Sequence, residues 1–564
     1  MVTKTKYGNI YNWLKGFVLL SLFLFSGYLS AANDTVYVSG GIQHDGLLDW
    51  KPVMYHSNSY VDLSLHWLRN DQESIQKTTF RGLTATTRAE LTQWPLPGYE
   101  NGIVGHGIGH LSLMADFTWG IVTLGDVYGQ FGSGLILNLY EDRALGIDGA
   151  LRGAKFELRP YKGIHLTMLG GKQRRYWDCY KDHAWGYNYT QNAALGGDVE
   201  IDIEQWSDWM REQDMRFRIG GSYVSKYEKP DTILFLDKGM YMYHLPRWVG
   251  AGDVRAELQM KGFDVLVEYA RKANDPSLEN EYSYKDGEAL LISAGYSRKG
   301  LSILAQIKRS ENMSFRSERN RIGLAGRLNN MPPFAQQHTY YLASMYPYAT
   351  QYVDGEWAFQ AEVRYTWPRK TPMGGKYGTT MKFSGTHIRG LKEPGSWAVN
   401  TDRNGEYYTD INIELNKRLS KDWWLNAMLM YQVYNQYEIE GHGDIIRSGI
   451  AVLDARVHVT NNVSMHGELQ YLYSRDYEGQ WVCALYELSL YRHWTLTGQW
   501  TYNIGGTELA CKEHFYNAQV TYVNGAHRVA AGYTKTQEGF HCSGGICRFV
   551  PRMQGVTLNY SFTF

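Results

Sequence analysis

Ionisable side chains of both signs gather at Glu141, Asp142, Arg143, Asp148 and Arg152, with Asp126 shortly before them and Gly146, Gly149 and Gly153 interleaved. Charges of both signs beside glycines suit a backbone that turns inward and pairs its own ions. They equally suit a polar strand end whose charges are solvated. Just upstream, Leu135, Leu137 and Leu139 alternate with Gly134, Ile136 and Asn138, which predicts a strand leading into the cluster. Enzyme chemistry is poorly marked. Gly132-Ser133-Gly134 lacks the spacing of a nucleophile elbow. His106 and His110, four positions apart, lie in a Gly-rich segment that does not read as a helix, and no His/Cys spacing suggests zinc. The expectation is no catalysis, no metal and no cofactor.

What surrounds the charge cluster decides how it is used, and composition indicates the kind of element. The 564 residues include 44 Tyr, 18 Trp and 59 Gly but only 14 Pro, which favours strands and tight turns over helices. Lys plus Arg equals Asp plus Glu at 57 each, so nucleic acid is not an expected partner. Lys4, Lys6 and Lys15 flank an apolar run at 16–29, and Ser30, Ala31 and Ala32 follow, so residues 1–32 read as a signal peptide. Export places the five cysteines in an oxidising compartment. Cys542 and Cys547 bracket a Ser-Gly-Gly-Ile turn and make one candidate disulfide; Cys483 and Cys511, at either side of a predicted hairpin, make a second, and Cys179 is left over.

From about residue 199 onward, apolar residues recur at every second position. Val199, Ile201 and Ile203 alternate with Glu200, Asp202 and Glu204; Met215, Phe217 and Ile219 alternate with Arg216 and Arg218. This pattern suits a soluble sheet with one wet face or a barrel with one lipid face. The segments run near ten residues, about what a tilted strand needs to cross hydrocarbon. Short turns at Lys261-Gly262, Lys299-Gly300, Asn461-Asn462, Arg492-His493 and Asn524-Gly525 take turns with long excursions near 173–195, 228–248, 272–285, 309–355, 388–403, 504–512 and 538–552. Short turns on one rim and long loops on the other is the outer-membrane arrangement. The final segment sets Val556, Leu558, Tyr560, Phe562 and Phe564 on one face and stops on an aromatic ring. The expected fold is therefore all-β: a transmembrane antiparallel barrel of about 22 to 26 strands in the outer membrane, its lumen partly filled by an inward segment. Residues 106–564 would form the barrel, and 33–105 its first strands or a small plug or periplasmic piece.

The stretch 125–154, together with the motif CSGGICRFVP at 542–551, resembles segments of a family of large outer-membrane proteins of Bacteroidota whose function is uncharacterised. The resemblance covers most of the mature chain. It implies a surface barrel in a Gram-negative envelope and brings no catalytic residues with it.

With apolar faces turned to lipid, Asp126, Glu141, Asp142, Arg143, Asp148, Arg152, Glu200, Asp202, Arg216 and Arg218 would line or constrict the lumen. Acidic 200/202/204 and basic 216/218 would form a cross-strand ladder if their strands are neighbours. Loop rings such as Trp177, Trp185, Tyr187 and Tyr341 could stack on a small solute or glycan or anchor a protein partner, or simply pack on one another. The expected function is a pore or solute-binding channel with a charge-lined lumen. Its rival is a non-conducting accessory barrel that binds a protein through its surface loops.

Overall fold

The structure, a computed structural model, describes residues 29–31, 34–50, 53–70, 78–92, 94–100, 103–176, 189–229, 234–235, 241–242, 244–321, 323–324, 326–543 and 546–564. Most of the expected signal segment, and with it Trp177, Cys179, Trp185 and Tyr187, lies outside the described residues.

The wall begins with β1 (Asp34–Trp50), β2 (Val53–Arg69), β3 (Phe80–Thr92), β4 (Gly105–Phe117), β5 (Gly120–Val127), β6 (Leu151–Tyr161), β7 (Ile164–Gln173) and β8 (Ala193–Asp202). It continues with β9 (Met215–Tyr227), β10 (Trp248–Met260), β11 (Phe263–Lys272), β12 (Gly287–Arg298), β13 (Leu301–Glu311), β14 (Glu356–Trp367), β15 (Thr379–Arg389) and β16 (Glu406–Arg418). It ends with β17 (Trp423–Asn435), β18 (Ile445–Thr460), β19 (Val463–Ser474), β20 (Gln480–Leu490), β21 (Trp494–Gly505), β22 (His514–Asn524), β23 (His527–Thr536) and β24 (Met553–Thr563). Each strand pairs antiparallel with the next, and β24 pairs back onto β1 from Gly41↔Thr563 to Asp49↔Gly555, so the sheet closes as a cylinder of 24 strands without free edges. The short piece Leu29–Ala31 folds back on the start of β1.

The start of β1 at Asp34 and the end of β24 lie at one rim, which also carries tight turns. In the turn between β10 and β11, Lys261 (φ 48°) and Gly262 (φ 87°) both take the left-handed conformation that a two-residue hairpin needs. The opposite rim carries the long connections.

The outer face is apolar. Leu111 and Leu113 of β4, Ile219 of β9, Val254 of β10, Ile411 and Ile413 of β16 and Leu469 of β19 are 37 to 63% exposed. In water each would cost about 25 cal/mol per Å² of apolar surface, whereas lipid removes that cost. Exposed rings girdle this belt: Trp119, Trp206, Trp423 and Trp494 near the terminal rim, Tyr223, Trp248, Tyr431 and Tyr473 near the loop rim. The barrel belongs in the outer membrane.

The inner face is polar towards the terminal rim and small towards the loop rim. Ala194, Ala251, Ala270, Ala289 and Ala358 are at most 2% exposed, because chain from two loop-rim connections, 128–150 and 312–355, folds in and covers them. The strand expected at 134–139 does not form. Only Asn138–Leu139 pairs, with Gly129–Gln130, and Leu135, Ile136 and Leu137 are all 0% exposed in a turn. A segment enclosed by wall and neighbouring loop has no solvent face, so period-two patterning loses its meaning there.

Candidate functional site

The first inserted segment is held by ions. Gly132 (φ 50°) and Gly134 (φ 87°) let the chain reverse at the tip, where the Ser133 amide donates to Glu268 of β11 at 2.9 Å. Phe131 docks on Gly196 of β8, where a Cβ would come within 2.8 Å of its ring. The chain then returns along β1–β3 through the charges that stood out in the sequence. Arg174, following β7, donates to both oxygens of Glu90 on β3 at 3.0 and 2.5 Å and to Asp148 at 2.5 Å. Arg88 of β3 pairs with Glu141 and lies 3.3 Å from Glu90. Arg143 reaches Glu141 and Asp62 of β2 at 2.8 Å each, and its guanidinium stands 4.5 Å from the centre of the Tyr60 ring. Asp148 also accepts from Tyr128 at 2.9 Å, while Asp142 caps the turn by accepting from the Leu145 amide at 3.0 Å. Alongside, Arg152 of β6 forks onto Asp126 of β5 at 2.7 and 2.6 Å. Each of these carboxylates meets at least one donor and Glu90, Asp126 and Asp148 are met at both oxygens, which lets so many charges sit in a shielded place.

The second segment, 312–355, packs on the first and is pinned by lysines from alternate wall strands. Lys226 of β9 donates to the Arg316 carbonyl at 2.7 Å, Lys272 of β11 to Ser314 at 2.6 Å, and Lys308 of β13 to Pro332 at 2.5 Å. Lys226 is balanced by Asp275 and Lys308 by Glu356, both at 2.7 Å. Asn329 bridges the two inserts, donating to the carbonyls of Leu135 and Met313. Between them Phe131, Leu137, Phe315, Leu328, Met331 and Leu342 form a continuous apolar core with the inner wall. Tyr341 packs against this core, and Tyr340, Tyr346, Tyr348 and Tyr352 are buried in it.

One edge of this plug is polar instead. Along 336–342 every second residue bonds the wall. Gln336 bonds Ser384 of β15 and accepts from Asn412 of β16 at 3.0 Å. His338 meets Asp410 of β16 at 2.5 Å, both buried. Tyr340 donates to Asp454 of β18 at 3.1 Å, and the Leu342 amide donates to Gln470 of β19 at 2.9 Å. This seam divides two cavities. One of about 180 Å³, lined by Gln336, His338, Tyr408 and Phe540, lies on the loop side. The other, of about 730 Å³, is lined by Tyr340, Asn426, Asp454, Arg456, His466 and Glu487 and lies towards the terminal rim.

The remaining sequence candidates fall elsewhere on the inner wall. Strands β8 and β9 are neighbours; Arg218 lies 2.6 Å from Asp202 and 3.6 Å from Glu200. Arg255 of β10, whose place in the period-two pattern also turns it to the lumen, contacts Asp198, Glu200 and Asp253 at 2.5 to 3.0 Å. Arg216 borders a separate cavity of about 480 Å³ with Glu257 and Asp264. Glu204 departs from the expected ladder: β8 stops at Asp202, and Glu204, in a 3-10 turn, accepts from the Phe217 amide at 3.2 Å.

Cys542 and Cys547 are joined in a disulfide between the paired strands Gly539–Ser543 and Ile546–Val550 of the last loop. Cys483 and Cys511 are not joined. Cys483 is buried on the inner side of β20 within the plug core, whereas Cys511 is exposed in the loop after β21, and both carry free thiols.

In the β19–β20 loop, burial and the nearby Glu538 carboxylate push Glu478 up from 4.5 to about 7. A raised carboxyl favours the protonated folded state. The contact between this loop and the last one is therefore expected to be firmest below pH 4.5, to weaken as pH rises towards 7, and to level off above it. Hydrogen exchange of 475–479 between pH 5 and 8 should show this slope, and Glu478→Gln should flatten it.

A family described as "Family of unknown function (DUF6029)" matches residues 14–564. No curated protein matches. Among solved structures, the chain is similar to the copper transporter OprC (10% identity, TM-score 0.39, 95% of this chain and 82% of that one). It is similar to the siderophore receptor PirA from Pseudomonas aeruginosa (10% identity, TM-score 0.40, 95% and 81%) and to Pseudomonas aeruginosa OccK5 (OpdH) (12% identity, TM-score 0.38, 74% and 97%).

Proposed function

The chain belongs to that family of unknown function, and we propose that it is a gated passage for small polar solutes, closed by its own plug. The observation that carries this reading is the seam at 336–342. Elsewhere the plug meets the wall mainly through apolar packing, buried ion pairs and buried lysines that donate to its carbonyls, all costly to separate because they would strand buried charge or open a cavity. Along the seam it meets the wall through hydrogen bonds, with a cavity on each side. Water and a polar solute can replace such bonds at little net cost, about 1 kcal/mol each. Swinging 336–340 away from β15–β18 would join the two cavities and disturb the apolar core only at its edge, where Tyr340 sits.

The test is planar-bilayer conductance of the purified barrel. The wild type is expected to be mostly closed. A Gln336→Ala, His338→Ala, Tyr340→Phe triple variant keeps the core ring and loses about 3 kcal/mol of closing hydrogen bonds, which corresponds to roughly 100-fold more open time. The second reading, a non-conducting accessory barrel that binds a protein through its loops, is favoured by the close-packed core that both inserts share. A triple variant that still shows the heat-modifiable mobility of a folded barrel but stays silent would establish the second reading over the first.

A further inference from the structure

We propose that Asp454, His466 and Glu468 form a binding site for one divalent first-row transition-metal ion on the wall of the larger cavity. Asp454 lies on β18 and the other two on β19. The register sets Asp454 opposite Glu468 and Arg456 opposite His466, so strand alternation keeps all of them on the inner face. His466 Nε2 stands 2.9 Å from Asp454 Oδ1 and 3.2 Å from Glu468 Oε1. One ring nitrogen carries at most one proton and cannot satisfy two carboxylates, and carboxylates on directly opposed residues repel.

Elsewhere in the lumen such acidic clusters carry their own cation. Arg255 sits among Asp198, Glu200 and Asp253 at 2.5 to 3.0 Å. Here the guanidinium of Arg456 stands 3.8 Å from Asp454 with its side chain 64% exposed, so the cluster lacks a buried positive centre. The three ligand atoms lie within 4.8 Å of one another, and small shifts would bring each to the roughly 2.0–2.2 Å of zinc–nitrogen and zinc–oxygen bonds.

The far oxygens of the carboxylates are already oriented. Asp454 Oδ2 accepts from Tyr340 and Glu468 Oε2 from Gln470 at 2.9 Å, the kind of outer support that holds metal ligands in place. Asn426, directly across from Asp454 on β17, buries an amide oxygen that has no hydrogen-bond partner. Asp454 and His466 line the cavity of about 730 Å³, from which water could supply a fourth ligand. One imidazole with two carboxylates suits zinc and its first-row neighbours; calcium takes six or more oxygens and magnesium keeps its waters. The site stands in the closed barrel and does not require the passage to open.

Isothermal titration of the full chain in detergent with zinc chloride alone tests this. The wild type is expected to take up one ion per barrel at a site that His466→Ala and the milder Glu468→Gln each weaken at least tenfold, while all three proteins keep the heat-modifiable mobility of a folded barrel. Cobalt added to the wild type should give the visible absorption of a four- or five-coordinate nitrogen/oxygen site, absent in His466→Ala. No zinc uptake, or uptake that neither variant changes, would overturn the proposal.

Discussion

Arg174→Ala is expected to unseat the first inserted segment. Arg174 is the bidentate partner of Glu90 and also holds Asp148; all three side chains are at most 4% exposed. Removing the guanidinium leaves two carboxylates shielded from water, with Arg88 at 3.3 and 3.9 Å as the nearest remaining cation. Breaking a buried pair from one side costs about 3–5 kcal/mol. Segment 128–150 should then be cut by protease in folded barrels that resist cleavage there in the wild type. Arg174→Lys keeps the charge but not the fork, so it should fall between the two. The triple variant Arg174→Ala, Glu90→Gln, Asp148→Asn should recover most of the loss, because the cost lies in the stranded charges. A triple variant as labile as the single one would point to lost packing instead.

Lys308→Met is expected to have a comparable effect on the second insert. Lys308 and Glu356 are both 0% exposed, and the lysine also holds the Pro332 carbonyl. Methionine fills the space of the stem but leaves Glu356 with only Tyr348 and the Gln351 amide as donors. A penalty of about 3–5 kcal/mol follows on the same grounds. Both conductance and cleavage within 312–355 should rise. Adding Glu356→Gln removes the stranded charge and should reverse much of the change. Comparing Lys308→Met with the seam variant separates two modes of opening: the first loosens the insert at its root, the second only along one edge.

The wall was legible in the sequence because lipid on one side and water or polar chain on the other impose a strict period of two. Val199 to Asp202 and Arg216 to Ile219 show it plainly. Turn spacing gave the two rims, since a chain crossing a membrane must alternate sides. The interior was harder. Leu135 to Leu139 looked like a strand because alternation tests for a boundary between two environments, and this stretch has only one. The tyrosines of 340–352 fit either a binding surface or packing on one another; most of them are core, their hydroxyls turned to Asp454, Glu356 and Asn330. The glycine-spaced charges of 141–152 suggest that the first insert turns inward, but nothing local marks 312–355 as doing so. His466 and Glu468 meet Asp454 only through the register of one hairpin, so no fixed spacing announces the cluster. Cys483 and Cys511 looked paired because both flank one hairpin, but one of them faces the lumen.

The plug is continuous with β5 and β6 at one insert and with β13 and β14 at the other, so each piece is tethered to the cylinder at both ends. A stopper leashed in this way cannot be shed or exchanged between molecules. Its return after each excursion is unimolecular, and the local concentration that drives reclosure is set by leash length alone. The lifetime of an open event should therefore be indifferent to how many barrels share the bilayer, and should lengthen when glycine spacers are added to the leash.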